Sequence, residues 1–467
     1  MQTRRNFLAA ASTFTLSAGC GHALTAENRN EKSLPIIRHA DICVLGGSCT
    51  GVFAAVRAAR LGAKVVLVEK QNAFGGVATN SLVNVWHSLY DTERKLPIIG
   101  GLTVEAIERL KKRDAVVIRD SISSPYVFNS QELKIELDEL VIENNIDPLL
   151  HTLFSEPVLN SDGKLAGVIV DNKSGRGIIH AKQFIDATGD ADLAQRLGLE
   201  TYTRKMLQPP TCCAHFSSWD IGRSAQNAEQ YGHEFNIPSG FLWGVNVPHS
   251  STMMIAGTRV VDTDCSVADE LTKAEIEGRR QIRALMDMQR TYQPELKSVL
   301  TALPSYIGIR ETRHVKCLFE ANDNDALHGK RYADAVTNCS YPFDQHHQDK
   351  PGVTFRYLDG TFHYTGGEGH EPQRGRWREE TETNPTFYQI PLRAITPPRF
   401  GNLMLAGRML DAGLIAFSGM RVMVHMNQLG EAAGVAAYLA LQQGVPVQQL
   451  DANEVRKTLE DGGSVVL

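Results

Sequence analysis

Apolar and polar positions divide the chain into a regular opening unit, a less regular middle and a return of the first pattern near the end. Ile42 to Leu45 is a short apolar run, as expected of a strand buried on both faces of a parallel sheet. Gly46 and Gly47 turn the chain, and Gly51 opens a helix whose small residues Ala54, Ala55, Ala58 and Ala59 allow close packing on the sheet. A second buried strand is predicted over residues 64–68, ending at the acidic Glu69. Helical spacing predicts helices at about 102–112 and 130–145, with Ser130 as N-cap of the latter and Leu133 entering the core. Strands are predicted at 146–152, in a pair joined by the turn Asn160-Ser161-Asp162-Gly163, and at 178–185. The last of these runs into Asp186-Ala187-Thr188-Gly189-Asp190-Ala191-Asp192, a small-residue turn with acids.

From about residue 200 the pattern changes: Trp, Pro, Gly and His are scattered as far as 395, with one evident helix near 273–290. After Pro397-Pro398 the first pattern returns as a strand at 402–406, a turn at Gly407-Arg408 and a helix at 427–442. That helix carries a small-residue face of Gly430, Ala433, Gly434 and Ala437. The expected fold is α/β: a Rossmann-like domain built from 39–199 and 396–467, with an inserted α+β domain over 200–395.

The opening unit carries chemistry. Gly46, Gly47 and Gly51 match a G-x-G-x-x-G turn in which Ser48 replaces the middle glycine. Such glycines let backbone approach a pyrophosphate at a helix N-terminus, and an acid at the position of Glu69 accepts a hydrogen bond from an adenosine ribose. Strand before, helix after and acid at the right distance make this a dinucleotide site despite the serine. Gly75 and Gly76 suggest backbone lying against the cofactor, and Asp190 sits where its phosphates and sugar would lie.

The first 26 residues read as a targeting segment, with the twin-arginine signature Thr3-Arg4-Arg5-Asn6-Phe7-Leu8 before a weakly apolar run to Ala18. Cleavage after Ala23 or Ala26 would leave a polar linker to residue 38, and Cys20 is a candidate lipidation site in a loosely fitting lipobox. The expected location is the periplasm, with or without a lipid anchor. The 467-residue chain is 42% hydrophobic and 22% charged, with net charge −5, which gives no reason to expect nucleic acid binding. No internal apolar run is long enough to span a bilayer. The eight cysteines include no C-x-x-C, so their spacing supports neither zinc nor an iron–sulfur cluster.

Seven blocks in order give the chain a wider likeness: Val44–Ala55, Phe184–Ala194, Gly308–Arg313, Tyr341–His347, Ile390–Ile395, Asn402–Ala412 and Gly419–Gly434. With these the sequence resembles FAD-dependent oxidoreductases of glutathione-reductase-like fold, related to heterodisulfide-reductase-like flavoproteins. The resemblance implies FAD, with its adenosine by Gly46, Gly51 and Glu69, its pyrophosphate by Gly47 and Gly407, and its flavin by Gly76 and the Arg421–Val422–Met423 turn. A helix beginning near Asn427 presents its positive end to whatever precedes it, and a helix N-terminus by flavin N1 and O2 favours the reduced form. Some relatives carry iron–sulfur clusters; this chain lacks their clustered cysteines.

Only one nucleotide fingerprint is evident, since Gly366-Gly367-Glu368-Gly369 has no clear strand before it or helix after it. Electrons are therefore expected to come from a small, carbohydrate-like organic substrate and to leave to an external acceptor. A reductase fed by a partner protein and a non-catalytic flavin-binding protein are the competing readings. Hydride removal needs a base, for which His346 and His347 are candidates, with Asp344 two residues before the first; the resemblance favours His346, where relatives show Asp-x-His. The competing reading of His346 and His347 is a pair of surface histidines. Arg310 and Arg313 are candidates to clamp anionic or hydroxyl groups, or else structural partners of Glu311 or a more distant acid. His87, and behind it His425, complete the candidate set, while the four tryptophans suit a core or a sugar platform.

Overall fold

The computed structural model describes residues 34–121, 123–367 and 369–467, so the targeting segment, Cys20 and most of the linker lie outside the described residues. Residues Pro35–Leu467 make one compact unit.

Strand β1 (Ile36–Leu45) leads into helix α1 (Cys49–Arg60) and strand β2 (Val65–Val68). The linker therefore ends before Ile36 rather than at 38. The first residues of β1 read as polar because one side stays partly exposed, yet Arg38, His39 and Ala40 pair in parallel with Ile179, His180 and Ala181. Helix α2 (Gly101–Lys112) and helix α3 (Ser130–Glu143) follow. Asn129, not Ser130, caps α3, its side chain accepting from Gln131 N at 3.0 Å, while Ser130 Oγ donates to Ala78 O at 2.6 Å. Strands β3 (Asp147–Leu149), β4 (Leu153–Leu159), β5 (Leu165–Asn172) and β6 (Gly175–Asp186) complete the first half.

The middle of the chain builds two four-stranded antiparallel sheets, one from 214–217, 243–246, 252–256 and 299–302, the other from 343–346, 353–356, 361–365 and 373–376. Gly366 and Gly367 thus do follow a strand, but an antiparallel one, and the next element of that sheet is another strand rather than a helix. Helix α4 (Ala268–Tyr292) is longer than its periodic core, and a polar helix at Ile221–Tyr231 packs near it.

The C-terminal part supplies strand β7 (Leu403–Leu405), helix α5 (Leu414–Met420), helix α6 (Met423–Gln443) and helix α7 (Ala452–Asp461). Strand β7 joins the first sheet, beside the last residues of β6, and the order β3-β2-β1-β6-β5-β4 completes it. Pairs among β3, β2, β1, β6 and β7 are parallel, while β4 and β5 add an antiparallel flank. This is a mixed α/β fold with a Rossmann-like parallel sheet, and ligands in such folds bind outside the carboxyl ends of the parallel strands.

The small faces of α1 and α6 pack on each other rather than only on the sheet. A Cβ at Gly430 would lie 2.1 Å from Thr50 O, and one at Gly434 2.3 Å from Ala54 O. Arg57 and Glu431 form an ion pair inside this helix contact, and Glu431 Oε1 also accepts from Leu102 N at 3.0 Å at the start of α2. Helix α6 begins at Met423, a turn earlier than its periodicity suggested. It is buried nearly all round and its cap, Val422, makes no side-chain bond, so no start signal exists in the sequence.

Candidate active site

The turn after β1 is fixed by close approach. Gly46 adopts φ 102°, and a Cβ there would lie 2.3 Å from Ala187 O. A Cβ at Gly51 would lie 1.8 Å from Gly46 O, so the turn and the first turn of α1 touch through backbone alone. Ser48 takes ordinary extended dihedrals (φ −61°, ψ 171°) and caps α1, its Oγ 3.5 Å from Gly51 N, which explains why a glycine is dispensable there. Its side chain is accommodated from the other side: a Cβ at Gly76 would come within 2.8 Å of Ser48 Cβ.

Glu69, at the end of β2, braces this turn. Its Oε2 accepts from Gly47 N at 2.6 Å and its Oε1 from Gln71 N at 2.7 Å. Burial raises its pKa and the amides oppose that rise. After β6, Asp190 accepts from Thr312 Oγ1 at 2.8 Å and pairs with Arg408, which follows Gly407 in its φ 118° turn. Burial would raise the Asp190 pKa, but Arg408 and Lys70 outweigh it and hold the carboxyl low. Asp192, beside it, is raised to about 6 by burial and by Asp190 and Asp186.

Helix α6 opens on the same space. Its first turn contains no acidic residue, so no side chain of the helix itself compensates its positive end. Asn427 lies one turn in; its Oδ1 and Nδ2 are both buried without a protein partner among the described residues, as is Asn80 Oδ1. All three atoms belong to residues lining the cavity. Buried amides are normally satisfied, so these donors and acceptors fit a ligand whose edge offers both, as a flavin ring does. Together with the glycine turn and Glu69, this donor set suits FAD.

One cavity of ≈ 530 Å³ collects nearly all the predicted residues: Gly46, Ser48, Glu69, Gly75, Gly76, His87, Asp190, Arg310, His346, Gly407, Arg421, Val422 and Met423. Gly47 and Gly51 stand behind them in the turn. Its walls also include Lys70, Asn80, Cys213 and Tyr341, none of which the sequence pattern placed there, together with Trp243, one of the tryptophans suited to a core or a sugar platform, and Asn427, near which the periodicity begins the helix expected to face the flavin. Lys70 directly follows the acid at the end of β2, and that position was the only available signal for it.

The charged cluster of the cavity lies where the strand Phe343–His346 meets the start of α6. Arg421 Nη2 donates to Asp344 Oδ1 at 2.6 Å and to Gln208 Oε1 at 3.1 Å. His346 Nε2 lies 3.6 Å from Asp344 Oδ2. Burial, then the Arg310 charge, pushes the His346 pKa down to about 3, despite Asp344. Burial would raise Asp344, but Arg421 and His346 hold it below its usual range. The pair is therefore a neutral imidazole beside an ionised carboxylate. His87 stacks on Tyr341 with ring centroids 3.9 Å apart, bonds to Ser123 O through Nδ1, and is pushed to about 4 by burial.

Other candidates separate. His347 bonds to Thr354 Oγ1 at 2.7 Å and lies outside the cavity walls. His425 is fully buried, its Nδ1 3.1 Å from Gly419 O. Arg313 pairs with Asp192 at 3.6 Å, and Glu311 pairs with Arg204, so neither Arg310 nor Arg313 is a partner of Glu311. Trp86 and Trp219 are core residues, while Trp243 faces the cavity. Among the described residues no group of three or more His, Cys, Asp or Glu converges as a metal site, and no helix is long and apolar enough to cross a membrane.

The parallel sheet, its glycine turn and a cavity that unites them with a His–Asp pair define a dinucleotide-dependent redox enzyme. The sequence matches the model of the family described as FAD dependent oxidoreductase over residues 41–459, and the chain belongs to that family. It is similar to the mitochondrial dihydrolipoyl dehydrogenase of Schizosaccharomyces pombe, 30% identical over 105 residues, which are 20% of this chain and 20% of that protein. It is also similar to a digeranylgeranylglycerophospholipid reductase of Methanoculleus marisnigri, 28% identical over 220 residues, 44% of this chain and 52% of that one. The chain thus spans about half or less of the curated relatives it matches. Among solved structures, a geranylgeranyl bacteriochlorophyll reductase-like protein of Thermoplasma acidophilum aligns at 13% identity and TM-score 0.43, over 91% of this chain and 82% of that one. The p-nitrophenol 4-monooxygenase of Pseudomonas putida aligns at 11% identity and TM-score 0.43, over 91% and 85%.

Proposed function

We propose that this enzyme oxidises a small hydroxylated organic molecule, carbohydrate-like in its polar groups, and passes the electrons to an external acceptor. The observation that carries the reading is the meeting of His346, Asp344, Arg310 and Arg421 in the same cavity as the glycine turn and the start of α6. Glu69 would hold the adenosine ribose, Gly47, Gly407 and the Asp190–Arg408 turn the pyrophosphate, and Gly75, Gly76, Val422, Met423 and Asn427 the flavin. Bound there, the flavin supplies a two-electron acceptor for hydride leaving a carbinol carbon. His346 takes the hydroxyl proton, and the resulting imidazolium is stabilised by Asp344 at 3.6 Å. Arg310 orients the substrate, while Trp243 and Phe355 wall it against water.

The likeness to a digeranylgeranylglycerophospholipid reductase favours a second reading, in which a partner protein delivers electrons and the substrate is reduced. Anaerobic mixing separates the two. The first expects the yellow holoenzyme to bleach with a sugar or other polyol; bleaching only with a reduced carrier protein would replace it with the second. We also propose the glutathione-reductase-like kinship with heterodisulfide-reductase-like flavoproteins, on the seven sequence blocks. Export by the twin-arginine route, with cleavage after Ala23 or Ala26 or lipidation at Cys20, completes the proposal. It expects Arg4→Lys with Arg5→Lys to strand the protein in the cytoplasm; undiminished periplasmic recovery of that variant would end it.

A further inference from the structure

The cavity around His346 holds two guanidiniums, Arg310 and Arg421, and one carboxylate, Asp344. The other acids of the cavity walls are engaged elsewhere. Glu69 is held by the amides of Gly47 and Gln71, Asp190 by Arg408 and Thr312, and Asp192 faces Arg313 at 3.6 Å. Asp344 is itself taken by Arg421 at 2.6 Å. Of the two guanidiniums beside His346, the one without a carboxylate partner among the described residues is Arg310.

Arg310 forms no ion pair among the described residues. Its Nη1 donates to two neutral acceptors, Pro209 O at 2.5 Å and Thr211 Oγ1, while Nε and Nη2 have no protein acceptor among the described residues. The side chain nonetheless lines the cavity, whose walls include the apolar Val85, Val245, Ala256 and Phe355. A guanidinium in such surroundings is costly without a counter-ion. Burial, then the charge of Arg421, brings even its pKa down to about 10. The free Nε–Nη2 edge is the planar fork that matches a carboxylate with two parallel hydrogen bonds.

We propose that the substrate is a hydroxy acid whose carboxylate docks on the Nε–Nη2 edge of Arg310. This rests on the dehydrogenase reading and adds the substrate class to it. The carboxylate supplies the missing counter-ion, and docking it also matters for the base. The Arg310 charge is what, after burial, most depresses the basicity of His346. Once an acid neutralises that charge, His346 binds a proton more readily, so the base strengthens when the right substrate is in place.

The test uses the FAD-loaded enzyme and matched pairs: gluconate with sorbitol, lactate with 1,2-propanediol, and acetate with ethanol as non-polyol controls, each titrated under anaerobic conditions against the flavin absorbance. At least one acid is expected to perturb the spectrum with a dissociation constant tenfold or more below that of its neutral partner. Arg310→Gln should weaken that acid by about 10- to 100-fold, the scale of a lost charge-assisted fork. It should move the neutral partner far less, and Arg310→Lys should recover part of the loss. Equal binding of acid and neutral partner, equal weakening of both in Arg310→Gln, or no perturbation by any carboxylate would overturn the proposal. The two readings fail differently. A colourless protein that takes up no FAD sinks the cofactor reading and this proposal with it, whereas flavin colour without any preference for acids sinks this proposal alone.

Discussion

A histidine can accept a proton only while neutral, and at His346 burial sets that state before any partner does. Its pKa near 3 leaves the imidazole neutral through the physiological range, with Asp344 ionised beside it. The sign of the next step follows from the neighbours. Arg310 and Arg421 both oppose protonation of the ring, while Asp344 favours it. Removing the Arg310 charge must therefore raise the His346 pKa toward its ordinary 6.5, and protonation then removes the base at a higher pH. With a neutral alcohol as substrate, the acid limb of kcat/KM is expected to move upward in Arg310→Gln. His346→Ala should lose about 10²- to 10⁴-fold in kcat while keeping its flavin. An acid limb that stays put in Arg310→Gln, or turnover that survives in His346→Ala, would remove His346 from the chemistry. At this scale the glycine turn was legible because each glycine answers a steric demand: Gly46 and Gly51 touch through backbone, and Ser48 fits because its dihedrals are ordinary. The role of the Asn427 amide was not legible, since an asparagine inside a helix gives no sign that its side chain will be left unpartnered.

At the scale of elements, legibility followed period and cap. Strand β2 stands where its pattern put it, because a buried parallel strand reads as an apolar run, whereas α1 starts at Cys49, two residues before Gly51, because Ser48, which the glycine motif showed only as a departure, caps it. Helix α6 was displaced by one turn for the opposite reason. It is buried on every side, so no polar stripe marks its phase, and Val422 offers no capping side chain. That turn is the one that matters, since it sets the helix N-terminus directly at the cavity instead of a turn behind it. The middle of the chain was least legible. Its strands are four or five residues long, and their partners include segments far apart, such as His215 with Ala302. Glu431 shows the same limit among charges: nothing local predicts that a glutamate in an apolar helix will meet Arg57 of α1 and the amide of Leu102.

At the scale of the molecule, the cavity is walled by parts of the chain that lie far apart in the sequence. Its walls run from Leu45 to Asn427, taking in the first sheet, the sheet containing Trp243, the strand ending at His346 and the start of α6. Strand β7 ties the C-terminal part back into the first sheet beside β6. A ligand filling this cavity therefore contacts all of these elements at once and stabilises their assembly. A ligand that binds only the folded protein adds about 2.7 kcal/mol when its free concentration is 100 times Kd. For a chain of this size that corresponds to a rise in Tm of about 3 °C. Calorimetry on the deflavinated protein should accordingly show FAD lifting the melting transition of the whole unit, with a smaller lift in Glu69→Ala, whose turn has lost its brace. Two transitions, of which FAD moves only the one belonging to the first sheet, would mean that the cavity does not bind these parts together, and the placement of His346 and Arg310 against the cofactor would fall with it.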